Sequence, residues 1–162
     1  NTDGNPTSIE VKPAAGEIVR IARNAENVWV LELPIETEAD QGLAEAAAAQ
    51  VSALVMVSPI DAAPEIFGFN NPAFLITLEF ANGKKHTLEV GDSTPTNSGY
   101  YVRIDNDKMM IADLSGIDSL LQLAAFPPYL NTPTPSALPP TEAPVSPTQT
   151  IPTPEATVTP TP

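Results

Sequence analysis

The chain predicts an α+β domain: antiparallel β-sheet, in one or more sheets, with two helices packed on it. Three observations predict it. Residues 72–90 read as a hairpin whose register follows from residue types. Two segments, near 40–54 and 115–125, carry apolar residues at helical spacing behind capping residues. A Pro/Thr-rich stretch then closes the chain and sets the C-terminal limit of the domain.

In the hairpin, Phe74, Ile76, Leu78 and Phe80 alternate with polar or smaller residues, and His86, Leu88 and Val90 do so on the return. A two-residue turn at Asn82-Gly83 would pair Phe80 with Lys85 and mix an apolar face with a polar one. A three-residue loop, Ala81-Asn82-Gly83, with Gly83 in the left-handed region, instead pairs Leu78 with His86, Ile76 with Leu88 and Phe74 with Val90. Its other face sets Glu79 opposite Lys85 and Thr77 opposite Thr87, both favourable pairs. A slip of one residue would turn one strand's apolar set to water, so the three-residue loop is expected.

The remaining elements follow in order. Residues 1–7 are polar and turn-rich, as a frayed lead is. Ile9 and Val11 mark a short strand, 17–23 a second, and 24–27 a turn. A third strand, 28–33, alternates Trp29, Leu31 and Leu33; Trp29 is expected to pack between sheet and helix rather than to serve as a ligand platform. Thr37 and Asp40 are candidate N-caps of a helix to about residue 54, with Leu43, Ala47, Val51 and Leu54 as its apolar stripe. Residues 55–60 suggest another short strand, and Ile66, Phe67 and Phe69 are expected to plug one end of the core. Strands at 100–104 and 108–114 are expected to join through a two-residue turn at Asn106-Asp107, pairing Asp105 with Lys108, Ile104 with Met109 and Val102 with Ile111. Ser115 would cap a helix to about residue 125, with Ile117, Leu120, Leu121 and Ala124 on one side, and Pro127-Pro128 ends it. The outline repeats: antiparallel strands and a capped helix, twice, which suggests two β-meander-plus-helix halves. The domain is thus placed at 8–126. The tail, 127–162, is expected to be disordered and extended, because it has too few apolar residues to offset its ordering entropy. Its threonine and proline also suit an O-glycosylated stalk.

Composition narrows the function. Twenty acids against seven bases give a net charge of −13, which disfavours nucleic acid and anionic membrane surfaces as partners. There is no cysteine, hence no disulfide, thiol chemistry or Cys-ligated zinc. No apolar run is long enough to span a bilayer. The chain starts at Asn1, so a processed or excised chain is expected, with a leader or anchor upstream.

Catalytic chemistry finds few candidates. His86 is the only histidine, and its place in the hairpin makes it a partly buried structural residue. No G-x-S-x-G elbow and no phosphate-binding glycine loop is present. Asp105-Asn106-Asp107 lacks the glycine and distal glutamate of a calcium loop and reads as a turn. No catalytic residues, metal or cofactor are therefore expected. A carboxylate-pair hydrolase has no pair to point to. The best recognition element is the loop 92–99 with the strand that follows: Asp92, Thr94, Asn97, Tyr100, Tyr101 and Arg103 are the candidate ligand-binding residues.

Several stretches resemble a known bacterial family: the Trp29 strand ending at Pro34 with Ala39-Asp40 opening a helix; Phe67-Gly68-Phe69-Asn70-Asn71-Pro72; Asn82-Gly83-Lys84; Gly91-Asp92 with Thr94-Pro95; Tyr100-Tyr101-Val102-Arg103; and the Leu120-Leu121 helix. In this order and spacing they resemble the domain of unknown function 4340, although the family more often shows leucine at the position of Phe69. The resemblance implies an extracytoplasmic domain in the cell envelope, held by an N-terminal membrane helix missing from this chain, and an association with transporter components. It brings no catalytic residues. The expected function is a non-enzymatic interaction or accessory module with a protein partner, tied to a membrane transport complex. The alternative is a small-ligand or glycan-binding domain using the loop 92–99 with Tyr100 and Tyr101.

Overall fold

The computed structural model describes residues 3–131. Its strands are β1 (Pro6–Pro13), β2 (Val19–Arg23), β3 (Trp29–Leu33), β4 (Thr37–Glu38), β5 (Met56–Pro59), β6 (Phe74–Phe80), β7 (Lys85–Ser93), β8 (Gly99–Ile104) and β9 (Lys108–Asp113). Helix α1 (Gln41–Ala53) follows β4, and α2 (Leu114–Ala125) follows β9. The strands form one sheet in the order β4-β3-β2-β1-β6-β7-β8-β9-β5, antiparallel throughout. The protein is thus the expected α+β fold. Most of the tail expected at 127–162 lies outside the described residues.

The two-half outline is visible in the topology. Strands β1 to β4 fan out one way from the centre and β6 to β9 the other, and each meander ends in a helix. The halves also exchange their ends. After α1 the chain crosses to the far edge, where β5 pairs with β9. After α2 it returns to the opposite edge, where Tyr129 bridges Ala39 beside β4. The Asp40 N–H donates to the Pro128 carbonyl at 2.8 Å there. The folded chain therefore runs past the expected boundary at 126, and β1 starts at Pro6, two residues before the expected 8.

Alternation along each strand sends one set of side chains to the helices. Helix α1 packs on β1 and β3, α2 on β1, β8 and β9, and the two helices touch. Ile9, Val11, Leu31, Ile76, Val90 and Val102 line the sheet side of this core. Trp29 lies there at 1% exposure, between sheet and helix as expected. The hairpin register is as expected, with Leu78 opposite His86 and Glu79 opposite Lys85. Gly83 closes its loop at φ 77°.

Five expectations differ. The β8–β9 connection is a three-residue loop, so Val102 pairs with Met110 and Ile104 with Lys108. Asp105 and Asn106 both take positive φ, and the Asp105 carboxylate reaches back to β7, where it accepts from the Thr87 N–H at 2.9 Å instead of facing Lys108. The buried stripe of α1 is Ala44, Ala47, Ala48 and Val51; Leu43 and Leu54 fall to its flanks, because the alanines let the helix lie close to the sheet. The buried face of α2 centres on Gly116, Ile117, Leu120 and Leu123. Ile66 is 68% exposed, so it plugs nothing; Phe69 is buried, on the sheet face away from the helices. The two-residue strand β4 had no periodicity from which to be read.

Asp113, not Ser115, caps α2. One of its oxygens accepts from the Gly116 N–H at 2.7 Å and from Ser115 Oγ at 3.0 Å. The other accepts from the Val55 N–H at 3.0 Å, at the entrance to β5. One carboxylate thus joins β9, α2 and β5. Burial opposes its ionisation, but the Gly116 and Val55 N–H groups outweigh that and hold its pKa below the usual range. Replacing Asp113 with Ala removes the cap and orphans the Val55 N–H; the expected cost is about 1–2 kcal/mol at pH 7. A depressed folded pKa gives stability that is present above the unfolded value and lost as pH falls through the folded one. Urea titrations should therefore show the gap between wild type and Asp113→Ala narrowing below about pH 4.

Candidate functional site

The six candidate residues do not form one site. Thr94 is spent on its own turn: Oγ1 accepts from the N–H groups of Ser98 and Gly99, at 3.1 and 3.2 Å. Asn97 takes φ 51° within that turn, and its N–H donates to the Thr94 carbonyl. Tyr100 points toward the helices, where its hydroxyl donates to Asp118 Oδ1 of α2 at 2.9 Å. Burial and that carboxylate both push its phenol pKa up. Tyr101, one residue on, necessarily points the other way. Asp92, Tyr101 and Arg103 share the outer face of the β7–β8 pair, each against the segment 67–69.

A covering segment completes that face. The 3-10 turn Pro64–Phe67 and the residues after it lie across β7 and β8. The Phe67 ring packs on Tyr101 with centroids 4.5 Å apart. The Arg103 guanidinium lies over the Phe69 ring at 5.2 Å and bonds Glu89, its partner across the strands. The Glu89 carboxylate, against an opposing effect of burial, raises the Arg103 pKa further, so the guanidinium stays a cation. Gly68, at φ 82°, passes so close to Asp92 that a Cβ there would stand 2.9 Å from its carboxylate. A Cβ on Gly91 would stand 2.1 Å from the Phe67 carbonyl oxygen. Sequence reading missed Glu89, because its pairing with Arg103 depends on the β7–β8 register. Phe67 and Phe69 were visible as aromatics around a glycine, but were expected to plug one end of the core.

Chemically, this face offers tilted, packed aromatic rings and a neutralised Arg–Glu pair on a rigid sheet. It suits contact more than bond-making. Gly91→Ala tests the close approach: the new methyl meets a backbone atom, so the cover must lift. The expected cost is about 1–3 kcal/mol in a chemical melt, with loss of the Phe67–Tyr101 contact in NMR spectra.

A second polar cluster surrounds His86. Its Nδ1 bonds Asp105 Oδ2 at 2.7 Å, and its Nε2 lies 3.4 Å from Asp3 Oδ2. Asp105 first, then Asp3, hold the imidazole pKa above its usual value, with burial opposing them. Asp3 also accepts from Lys84 Nζ at 2.6 Å and Asn82 Nδ2 at 3.1 Å. The sequence placed His86 correctly on its strand, but not its two carboxylates, which come from 83 residues before it and 19 after. Among the described residues, no group of three or more His, Asp or Glu is arranged to hold a metal ion, and no helix is long and apolar enough to cross a membrane.

No curated protein matches the chain, and no solved structure does. The stretches that converge on the outer face, Phe67 to Phe69, Gly91-Asp92 and Tyr101 to Arg103, all lie within a match to one protein family. That match runs over residues 29–125, more than half of the chain, and by it the protein belongs to the family described as Domain of unknown function (DUF4340).

Proposed function

We propose that this domain is a non-enzymatic interaction module of a membrane-anchored, extracytoplasmic protein, an accessory to a transport complex in the cell envelope. Its protein partner is met on the outer face around Phe67 and Tyr101. The observation that carries this reading is the built aromatic surface itself: three sequence-remote stretches meet to present rings over a rigid sheet, with Ile66 exposed beside them. The state of His86 supports it too. Both ring nitrogens face carboxylates, which leaves no lone pair poised for base catalysis.

The test is site-specific photo-crosslinking of the full-length protein in its native membrane. A probe at Ile66 should give a discrete protein adduct, and a probe at Glu17 should not. Tyr101→Ala should weaken the Ile66 adduct at least fivefold. No adduct at Ile66, from protein shown to be folded, overturns the proposal. A small-ligand or glycan reading retains Asp92, Tyr101 and Arg103 on one face. Saturable oligosaccharide binding that Tyr101→Ala abolishes would favour it instead.

A further inference from the structure

Three donors converge on Asp3. Lys84 Nζ and Asn82 Nδ2 hold one carboxylate oxygen, and His86 Nε2 approaches the other. The cradle is pre-set by groups of its own. The Asn82 side-chain oxygen accepts from the Lys84 N–H at 2.9 Å, which fixes the amide. Asp105 takes the far nitrogen of His86 and so aims Nε2 at the cradle. These donors belong to the tip and flank of the β6–β7 hairpin, whereas Asp3 arrives from the N-terminal lead, 79 to 83 residues earlier in the chain. Its side chain is only 10% exposed there. The lead continues along α1, where Ser52 Oγ bonds the Gly4 carbonyl and the Asn5 side chain.

Among the described residues, His86 is also the one polar residue lining a cavity of about 230 Å³. Val51 of α1 and its C-cap residue Leu54 flank it on one side, and Leu78, Leu88 and Ile104 of the sheet on the other. A dry apolar cavity of roughly 150 Å³ takes benzene, so this one has room for about eight or nine carbons. An anion cradle and an apolar cavity that share one imidazole have the form of an amphiphile site.

We propose that the cradle and the cavity together bind a medium-chain aliphatic carboxylate, head on Lys84, Asn82 and His86, chain among Val51, Leu78 and Ile104, and that Asp3 occupies the head position in cis. The N-terminal lead is then a competitor that an incoming carboxylate displaces. Charge fits this assignment. The groups facing His86 are Asp105 from the β8–β9 loop and Asp3 from the lead, with Lys84 beside them; α1 and β5 present only apolar side chains to the cavity. With Asp3 displaced, Lys84 and protonated His86 face one carboxylate among the described residues, Asp105, and an anion restores neutrality. This inference is independent of the interaction surface on the outer face.

The probe is octanoate, titrated against the full chain by calorimetry and followed by NMR. Asp3→Ala should bind octanoate at least tenfold more tightly than wild type, with shift changes centred on His86. Hexanoate should bind Asp3→Ala about tenfold more weakly than octanoate, because two methylenes leave the cavity. Octanol should bind at least tenfold more weakly, and octanoate affinity should fall as pH rises through the raised pKa of His86. Val51→Phe should abolish binding; if it fails to fold, the hexanoate and octanol comparisons decide alone. Failure of Asp3→Ala to bind octanoate, equal binding of octanol, or no dependence on chain length would each overturn the proposal.

Discussion

A chain cut to the family-matched residues 29–125 will not fold, whereas residues 3–131 will. The reason is the position of β1, which lies in the middle of the sheet between β2 and β6. Without it, β3 and β4 lose their connection to the rest of the sheet through β2 and β1. Strand β6 would expose one whole side of unpaired backbone donors and acceptors. Four buried side chains go as well: Ile9, Val11, Val19 and Ile21, all at 2% exposure or less. At roughly 1.5–3 kcal/mol each, their burial amounts to about 6–12 kcal/mol. That equals the whole stability of an ordinary domain, about 5–15 kcal/mol. Circular dichroism and urea titration should show no cooperative transition for the short fragment. A sigmoidal transition there, with near-wild-type slope, would show that β1 is dispensable.

Replacing Trp29 with Ala should cost about 3–5 kcal/mol, the largest effect of any single substitution considered. The ring fills the space between β3 and α1, and it also organises two polar groups, Glu45 and Arg23. Its indole N–H donates to Glu45 Oε2 at 2.8 Å. Arg23 lies over its face at 4.5 Å and pairs with the same glutamate. The side chain of Gln41 bonds both the N–H and the carbonyl of Trp29, at 2.9 and 2.8 Å, and so pins the start of α1 to the strand. The indole N–H first, then Arg23, keep the Glu45 carboxyl below its usual pKa against the effect of burial. A lowered carboxylate pKa means stability that is present above the unfolded value, about 4.3, and lost as pH falls through the folded one. Trp29→Ala should therefore also flatten the acid limb of the stability profile. Trp29→Phe keeps most of the ring area and loses the donor, so a cost of about 1–2 kcal/mol is expected. Urea midpoints at pH 7 and pH 4 separate packing from hydrogen bonding. A Trp29→Ala protein within 1 kcal/mol of wild type would refute the packing role.

The outer sheet face shows why charged residues there were harder to place than apolar ones. Arg20 stands among three glutamates, with Nε 2.8 Å from Glu32 and the other nitrogens 3.7 Å from Glu10 and 3.6 Å from Glu79. The Arg20–Glu32 approach is an ion pair without hydrogen-bond alignment. These residues come from four strands, and no local spacing brings them together. Exposed pairs of this kind contribute at most about 1 kcal/mol each, so they did not shape the strand pattern. The same holds for the candidate site. Asp92, Tyr101 and Arg103 were visible as recognition residues, but Tyr100 was grouped with them although adjacent strand residues must diverge. Thr94 and Asn97 carried the side chains of a binding loop and also those of a tight turn, and the turn used them.

Local pattern determined the α+β class and the β6–β7 register and narrowed the α1 cap to Thr37 or Asp40, of which the structure uses Asp40, because alternation, loop length and capping chemistry act within a few residues. Even the repeat of strands and helix was legible as an outline. Tertiary structure alone decided the centre and edges of the sheet: that β1 joins the halves, that β5 and Tyr129 cross to opposite edges, and that Asp105 leaves Lys108 for Thr87 and His86. Each of these is a contact between segments far apart in the chain, or a choice between turns of similar energy. A short-range signal cannot specify such a contact. It forms because the collapsed sheet leaves backbone and carboxylate groups that only those partners can satisfy.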